Sequence, residues 1–212
     1  MKQYFLYAKK WDVALLMENI MLDLGVKPTE KFLLPTEIIG NGIIIKQRSH
    51  KFDEDLWQLI DSSRDFLRPF LYWVDDTKSV ADVINVTDIF LNNFNNKESF
   101  EYVILDKNTQ KLVGAGGVHT VSYMHNWAEF GYYIDKTAVG NGYVTEFVNL
   151  LSAELFKRNI HRLVITCDVE NKASAAVAKR CNFAFEGIMK EARIGYNEYR
   201  DQMLFAKINT YK

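Results

Sequence analysis

Apolar residues in the first half of the chain recur at helical spacing. In the segment 12–24, six of them fall on one helical face, which predicts an amphipathic helix. Asp53 is a predicted N-cap of the next helix, and the segment 64–74 predicts a further helix that a proline interrupts. Ser79 and Asp82 are spaced as in a capping box. The helix that they open has a predicted buried stripe made of Val83, Ile84, Thr87, Phe90, Leu91 and Phe94.

Alternating apolar and polar positions predict strands, mostly in the second half of the chain. Helices are predicted between some of them, one directly after the glycines of "VGNGYVTEFV" and one from Asn171, a natural N-cap. The tail 183–208 predicts strands around a turn at Gly195 to Asn197. The other predicted strands cover residues 42–47, 99–106, 111–121, 127–135 and 162–168.

This order of elements predicts a fold class and two parts of the chain. Early helices followed by alternating strands and helices indicate a mixed α/β (α+β) fold, with a mostly antiparallel, twisted sheet flanked by helices. We expect residues 1–36 to form an N-terminal helical extension and residues 37–212 to form the main domain. The apolar stripe of the extension is too wide to leave in water. It is therefore expected to cover the domain or a partner subunit, as in a homodimer.

Composition narrows the choice of partners. The chain has 212 residues and a formal net charge of −1, so no global basic field attracts nucleic acid or a membrane surface. Cys167 and Cys181 lie in apolar segments, and His119, His125 and His161 lack ligand spacing, so no metal is predicted. With no signal-peptide pattern and no long apolar run, the sequence predicts a cytoplasmic protein that binds no membrane.

The stretch from Val139 to Val144 is the first with candidate chemistry. Gly140 and Gly142 flank Asn141 directly before an amphipathic helix, whose first N–H groups have no partner within the helix. Bare backbone at such a helix start can hold a phosphate, and it can also serve only as a turn. A dinucleotide-binding fingerprint is excluded, because Thr145 stands where the third glycine is required.

Glu129 is a carboxylate in the middle of a predicted apolar strand. A buried carboxylate there is either paired for structure or functional. Alternation places it on one face with Gly131, which is expected to leave space for a water or an amine. If Glu129 acts as a base through water, it deprotonates an N-terminal α-amine (pKa about 8) more readily than a lysine amine (pKa about 10.4), because more of the α-amine is neutral at pH 7.

The order of these motifs resembles the GNAT superfamily of N-acetyltransferases. Within it, the chain is most similar to the group that acetylates ribosomal-protein N termini (RimJ/RimL type). The resemblance covers roughly residues 37–208 and implies a GNAT acetyltransferase domain that uses acetyl-CoA as co-substrate and no metal. It rests on "SSRDFLRPFLYWVDDTKSVAD", "AEFGYYID", the G-x-G helix start, "RLVITCD", the N-x-x-S of Asn171 and Ser174, and "RCNFAFEG", at compatible spacing.

The resemblance also implies roles for single residues. Glu129 would be the catalytic base, and Ser174 would be catalytic by hydrogen bonding the departing thiolate. Trp73 and Asp75 would line the acceptor side. Backbone N–H groups near Tyr132 to Ile134 would stabilise the oxyanion if the strand is splayed. The predicted cofactor-binding residues, including Asn171 at the pantetheine arm, are Tyr133, Ile134, Val139, Gly140, Asn141, Gly142, Tyr143, Val144 and Asn171.

Three positions depart from the family pattern. Thr137 stands where the diphosphate motif has Gln or Arg, and Asn182 replaces a glycine before a phenylalanine. The ribosomal-protein group has a proposed catalytic glutamate where this chain has Arg193, with Glu191 nearby. The departure at Arg193 leaves open a CoA-binding regulatory module without catalysis.

The favoured function is direct transfer of an acetyl group to a protein N-terminal α-amine. A transferase for a small amine, either a polyamine or an antibiotic, is the nearest alternative. Asp75, Asp76 and Glu129 could together attract a polyamine. The acceptor is the part of the function that these patterns leave undecided.

Overall fold

One eight-stranded sheet organises the part of the chain that the computed structural model describes, residues 29–195 and 198–210. The strands lie in the order β1-β2-β3-β4-β5-β6-β8-β7, and all neighbours are antiparallel except β5 and β6. The predicted mostly antiparallel sheet is confirmed. The strands are β1 (Glu37–Ile39), β2 (Ile43–Gln47), β3 (Phe100–Asp106), β4 (Leu112–Ser122), β5 (Trp127–Ile134), β6 (Arg162–Asp168), β7 (Ala184–Ile194) and β8 (Tyr199–Ile208).

Helices cover the sheet, and two of their predicted caps are confirmed. The Ser79 hydroxyl accepts a hydrogen bond from the Asp82 N–H, and the Asn171 side chain accepts one from the Ser174 N–H at 3.0 Å. Short 3₁₀ turns lie at His50–Phe52, Tyr72–Asp75 and Lys136–Ala138. The α-helices of the described ranges are α1 (Asp53–Ser62), α2 (Arg64–Leu67), α3 (Val80–Asn95), α4 (Tyr143–Lys157) and α5 (Lys172–Arg180).

The centre of the sheet is buried on both faces, which explains its continuous apolar strand β3, whereas the edge strands β1 and β7 are largely exposed. On one face, α4 and α5 pack against the sheet around Phe147 and Leu151. On the other face, α1 and the first turns of α3 pack around Leu56 and Val83. Strand β3 is buried along nearly its whole length, because its alternate side chains enter the two cores.

Strands β5 and β6 separate partway along their length. Their pairing runs from Trp127 opposite Arg162 to Phe130 opposite Ile165. Beyond that point β5 remains paired with β4 as far as Ile134, and β6 remains paired with β8. A gap therefore opens between the two parallel strands in the middle of the sheet.

Two predictions at the helices are wrong. Asp53 does not cap α1; its carboxylate accepts a hydrogen bond from Thr87 Oγ1 at 2.6 Å and lies 2.8 Å from His50 Nδ1. The predicted buried stripe of α3 is narrower, because Ile84 is 39% exposed whereas Val83 and Thr87 are buried. For Asp53, tertiary partners that the local pattern does not contain decide where the side chain goes.

Residues just before β1 pack into the domain. Leu34 is buried, the Phe32 ring stacks on Phe100 at 5.8 Å between centroids, and Tyr102 Oη donates to the Pro35 carbonyl at 2.9 Å. The predicted helix at 12–24 lies outside the described residues. Within the described ranges, no helix has both the length and the apolar character that crossing a bilayer requires.

Candidate active site

A cleft of about 1370 Å³ opens where β5 and β6 separate. Because the gap passes between two strands, the cleft is lined from both faces of the sheet. Ser174 and Asn171 line it from the α5 face, and Glu129 and His119 lie in its wall. Trp73 lines the far end. The arrangement allows two bound molecules to meet in the plane of the sheet.

The two glycines before α4 form a bare helix start. Gly140 and Gly142 have φ angles of 88° and 79°, so the turn itself requires glycine. A Cβ at either position would meet no atom within 4 Å, and no side chain caps the N terminus of α4. Open space in front of uncapped N–H groups fits a phosphate, as a diphosphate of acetyl-CoA would require. The turn and the phosphate cradle are compatible.

The side chains around this helix start have local partners. Thr137 donates to Asp135 through both its N–H and its hydroxyl, at 2.6 Å each, so it supports the preceding 3₁₀ turn. Asn141 Nδ2 donates to the Ala138 carbonyl at 3.1 Å. The Val139 side chain is exposed, Val144 packs against the core, and the Tyr143 hydroxyl donates to Asp106. Of the predicted motif, the backbone is therefore the part left free to bind.

Arg180 stands beside the same helix start, and the sequence analysis missed it. Its Nε donates to Thr145 Oγ1 in the first turn of α4 at 3.2 Å. A guanidinium beside a bare helix N terminus adds positive charge where a phosphate would sit. The two residues are 35 positions apart and on different helices, so no local motif indicates their contact.

On the α5 face, two hydroxyls meet across the gap. Ser174 Oγ and Tyr132 Oη lie 2.9 Å apart. Burial raises the pKa of Tyr132 and the hydrogen bond with Ser174 opposes this, so the phenol stays protonated at neutral pH. A proton donor is therefore available at this point of the cleft wall. Asn171 lies next to it and uses its side chain as the N-cap of α5.

Glu129 is anchored where the two strands begin to separate. Its Oε1 accepts a hydrogen bond from Thr166 Oγ1 at 2.6 Å, and both residues line the cleft. The carboxylate is partly buried. This hydrogen bond joins β5 to β6 at the start of the gap.

The expected open space beside Gly131 is filled, which corrects the sequence analysis. A Cβ on Gly131 would lie 1.7 Å from Nε2 of His119. The register of β4 against β5 shifts between Val118 and Thr120, so His119 is an extra residue in the strand. This bulge turns the imidazole over the glycine, and a bulge is not visible in alternation along one strand.

His119 lies between two carboxylates. Its Nδ1 is 2.6 Å from Oε1 of Glu101, which is buried. Burial lowers the pKa of His119, but the charges of Glu101 and Glu129 outweigh burial and the opposing charge of Arg193. The net result is a pKa raised above the usual 6.5.

Backbone donors of β5 point into the gap. The Asp135 N–H donates to the Val113 carbonyl of β4 at 2.8 Å. Because backbone N–H groups alternate sides along a strand, those of Tyr132 and Ile134 point away from β4, whereas that of Tyr133 points toward it. On the gap side, the pairing of β5 with β6 ends at Phe130, so both N–H groups lie beyond the last paired residue. Tyr132 and Ile134 thus supply donors suited to an oxyanion.

The end of the cleft that Trp73 lines is aromatic. The Trp73 ring makes an edge contact with Tyr133 at 5.3 Å between centroids, and both line the cleft. Within the part of the chain that the structure describes, the buried Tyr133 hydroxyl has no hydrogen-bond partner. The Asp75 carboxylate instead accepts from Arg68 at 2.9 Å and is not part of the lining.

Arg193 closes this end from the opposite hairpin. Its guanidinium lies 5.4 Å from the centre of the Tyr72 ring, and both residues line the cleft. Among the described residues, no group of three or more His, Cys, Asp or Glu side chains is arranged to hold a metal ion. The chemistry that this cleft can supply is therefore proton transfer, hydrogen bonding and orientation of two ligands.

Comparison with known proteins places this geometry in a family. A family model described as an acetyltransferase (GNAT) domain matches residues 44–184. The ribosomal-protein-serine acetyltransferase of Escherichia coli (strain K12) is 26% identical over 156 residues, which are 72% of this chain and 85% of that protein.

Two solved structures share the fold. The microcin C7 self-immunity acetyltransferase MccE, in complex with acetyl-CoA and AMP, has a TM-score of 0.79 and 26% identity, covering 83% of this chain and 98% of its own. An acetyltransferase from Salmonella typhimurium that modifies the N-terminal serine of ribosomal protein L7/L12 has a TM-score of 0.73 and 25% identity, covering 80% and 96%. The chain belongs to the GNAT acetyltransferase family and is an acetyl-CoA-dependent N-acetyltransferase.

Proposed function

We propose that the acceptor is the α-amine of a protein N terminus, in line with the N-terminal serine that the Salmonella typhimurium acetyltransferase modifies. The observation that carries this proposal is the Trp73 end of the cleft, which we assign to the acceptor: an aromatic wall with the Arg193 guanidinium beside it. Of the six carboxylates that line the cleft, three have a cationic partner: Glu101 pairs with His119, and Asp168 and Glu198 both pair with Arg200.

Positive charge at the acceptor end disfavours an acceptor with several cations. Arg193 lines this end, and Asp75, expected to attract a polyamine, lies outside the lining and is paired with Arg68, whereas Asp76 lines the cleft. A polyamine carries several ammonium groups, whereas a peptide N terminus carries one. The aromatic wall of Trp73 and Tyr133 offers apolar surface to the rest of the peptide.

Direct transfer follows from two ligands that meet in the gap. Acetyl-CoA supplies the activated acetyl group, and the acceptor nitrogen attacks its thioester carbon as the carbon–sulfur bond breaks. Orientation of both ligands contributes much of the rate. Glu129, held by Thr166, is assigned the ordering of a water that receives the amine proton. Tyr132 and Ile134 N–H groups are assigned to the oxyanion.

The leaving group is assigned to the hydroxyl pair. Ser174 and Tyr132 are the hydrogen-bond donors on the α5 side of the gap. A hydroxyl that donates to the sulfur stabilises it as negative charge develops, which lowers the barrier more than it strengthens binding. Val139, Gly140, Asn141, Gly142, Tyr143 and Val144 are assigned to the diphosphate, with Asn171 at the pantetheine arm.

A thiol-release assay tests the acceptor proposal. Free CoA thiol is measured with acetyl-CoA and short peptides that begin with serine or alanine, and the same peptides with a blocked N terminus are the matched control. Polyamines, aminoglycosides and amines joined to AMP form the competing panel, since AMP is bound in the MccE structure. We expect turnover with the free peptides and none with the blocked ones. Turnover confined to a small amine would overturn the proposal.

A further inference from the structure

Three residues, one from each of three adjacent strands, lie in a row across the sheet, and two of them are glycines. Glu101 of β3 lies opposite Gly117 of β4, and Gly117 lies opposite Gly131 of β5. A Cβ on Gly117 would be 2.8 Å from the Glu101 carboxylate, and one on Gly131 would be 1.7 Å from His119. The carboxylate and the imidazole therefore occupy the space that two missing side chains leave on the sheet. No other residue type at 117 or 131 would permit this pair.

The pair fixes which imidazole nitrogen lies away from Glu101, over Gly131 of β5. Glu101 is 5% exposed, and its carboxylate holds the Nδ1–H of His119 at 2.6 Å. In the neutral imidazole, Nε2 then carries the lone pair. Within residues 29–195 and 198–210, Nε2 has no hydrogen-bond partner. The His119 side chain is 47% exposed and lines the cleft beside Glu129, so water or an acceptor can reach it.

We infer that His119 is the catalytic base that finally takes the proton of the acceptor amine, and that Glu101 is its positioning residue. This inference rests on the proposed transfer to an amine in this cleft. As the amine nitrogen bonds to the thioester carbon, its proton passes through the water near Glu129 to Nε2. The carbon–sulfur bond breaks and the thiolate leaves with its electron pair. The imidazolium then returns the proton to solvent.

The chemistry of the three groups favours this assignment. An ordinary imidazole has a pKa of about 6.5 and an ordinary glutamate one of about 4.3, against about 7.7–8.0 for an α-amine. A base is most effective when its pKa is close to the operating pH, which favours the imidazole. Glu101 from β3 and Glu129 from β5 stabilise the imidazolium, and Arg193 from β7 opposes it. The balance raises the pKa toward that of the amine.

Activity measurements on His119→Gln test the base directly. We expect kcat to fall about a hundredfold, the usual scale for loss of a general base. Acetyl-CoA affinity by calorimetry should stay within about twofold of wild type, because His119 is not at the α4 helix start. His125→Gln is the matched control, since His125 is exposed and outside the cleft lining. A folded His119→Gln variant with wild-type kcat would overturn the inference.

The pH dependence separates catalysis from structure. Only the neutral imidazole accepts a proton, so kcat should fall as pH drops through the raised pKa of His119. Glu101→Gln removes a carboxylate that raises this pKa, so the acid limb should move to lower pH. An NMR titration of the His119 ring should show the same downward shift in that variant. If Glu101→Gln shifted neither the acid limb of the kcat profile nor the titration of the His119 ring, the inference would be contradicted.

Two measures keep the outcome interpretable. If His119→Gln does not fold, Gly131→Ala takes its place, because the new Cβ forces the imidazole from its position without altering His119 or Glu101. The acceptor in all assays is whichever amine the wild type acetylates. Failure of the peptide proposal thus leaves the test of His119 intact, and a loss of kcat in His119→Gln supports the base with any amine.

Discussion

Single residues around the gap between β5 and β6 come from separate elements. Glu129 is held by β6 through Thr166, His119 by β3 through Glu101, and Ser174 lies at the start of α5. Each is positioned by a hydrogen bond from a different strand, so each can be changed with limited effect on where the others lie.

Glu129→Gln tests the proposed role of the carboxylate. The amide oxygen can still accept the Thr166 hydroxyl, so the shape and the strand contact are retained. We expect turnover to fall about a hundredfold with nearly constant acetyl-CoA affinity, and to recover in part at higher pH, where more acceptor is neutral. A structural Glu129 would instead give a lower melting temperature with activity per folded molecule preserved. Melting temperature and pH–rate profile are measured on the same variant.

Ser174→Ala tests assistance to the leaving group. The helix should be unaffected, because Asn171 caps α5 through the Ser174 backbone N–H rather than its hydroxyl. The single-turnover rate should fall more than acetyl-CoA affinity, since the contact strengthens only as the thiolate forms. Tyr132→Phe is the companion variant, as it removes the other hydroxyl of the pair. Equal single-turnover rates for wild type and Ser174→Ala would leave Ser174 without a catalytic role.

At the scale of elements, the start of α4 joins a left-handed glycine turn to an uncapped helix N terminus. Gly142 is the N-cap in a left-handed conformation, so the first N–H groups of the helix face outward without a side chain in front of them. Arg180 brings α5 to the same place through Thr145. The helix dipole and the guanidinium act in the same direction on an anion.

Gly142→Val should abolish acetyl-CoA binding while the fold survives. A side chain there stands in front of the helix N–H groups, and its left-handed conformation costs about 1–2 kcal/mol, less than the usual 5–15 kcal/mol stability of a domain. Calorimetry measures the affinity. Gly187→Val is the matched control, because Gly187 also has a positive φ (157°) and open space, but lies in β7. Unchanged affinity in a folded Gly142→Val variant would rule out the phosphate cradle.

At the scale of the whole molecule, packing decides at which residue the main domain begins. Residues 32–35 contact the sheet, and the predicted helix at 12–24 precedes them outside the described residues. The predicted extension, 1–36, thus contains Leu34 and Phe32, which belong to the core of the domain. Two deletions separate the contribution of residues 1–28 from that of residues 29–36.

Deleting residues 1–28 should lower solubility or change the oligomeric state, because the predicted apolar stripe at 12–24 covers the domain or a partner. Deleting residues 1–36 should in addition lower stability, as loss of a buried leucine alone costs about 2–5 kcal/mol. Light scattering and thermal melting measure the two effects. The stripe prediction would be wrong if the shorter deletion left solubility, assembly and stability unchanged.

Local patterns in the sequence were sufficient for most of the elements and for the glycine turn before α4. Periodicity predicted the strands and the helices after Gly142 and Asn171, because burial of one face acts along each element separately. The caps at Ser79 and Asn171 and the left-handed glycines depend on groups within a few residues of each other. Such features depend only on residues that are close together in the sequence.

Only the tertiary structure decided which distant groups meet. The separation of β5 from β6, the bulge at His119 and the contact of Arg180 with Thr145 join residues far apart in the chain. The same long-range pairing moved Asp53 from a cap to Thr87 and filled the space beside Gly131. Strand register sets these contacts, and alternation along one strand cannot specify how it aligns with its neighbour.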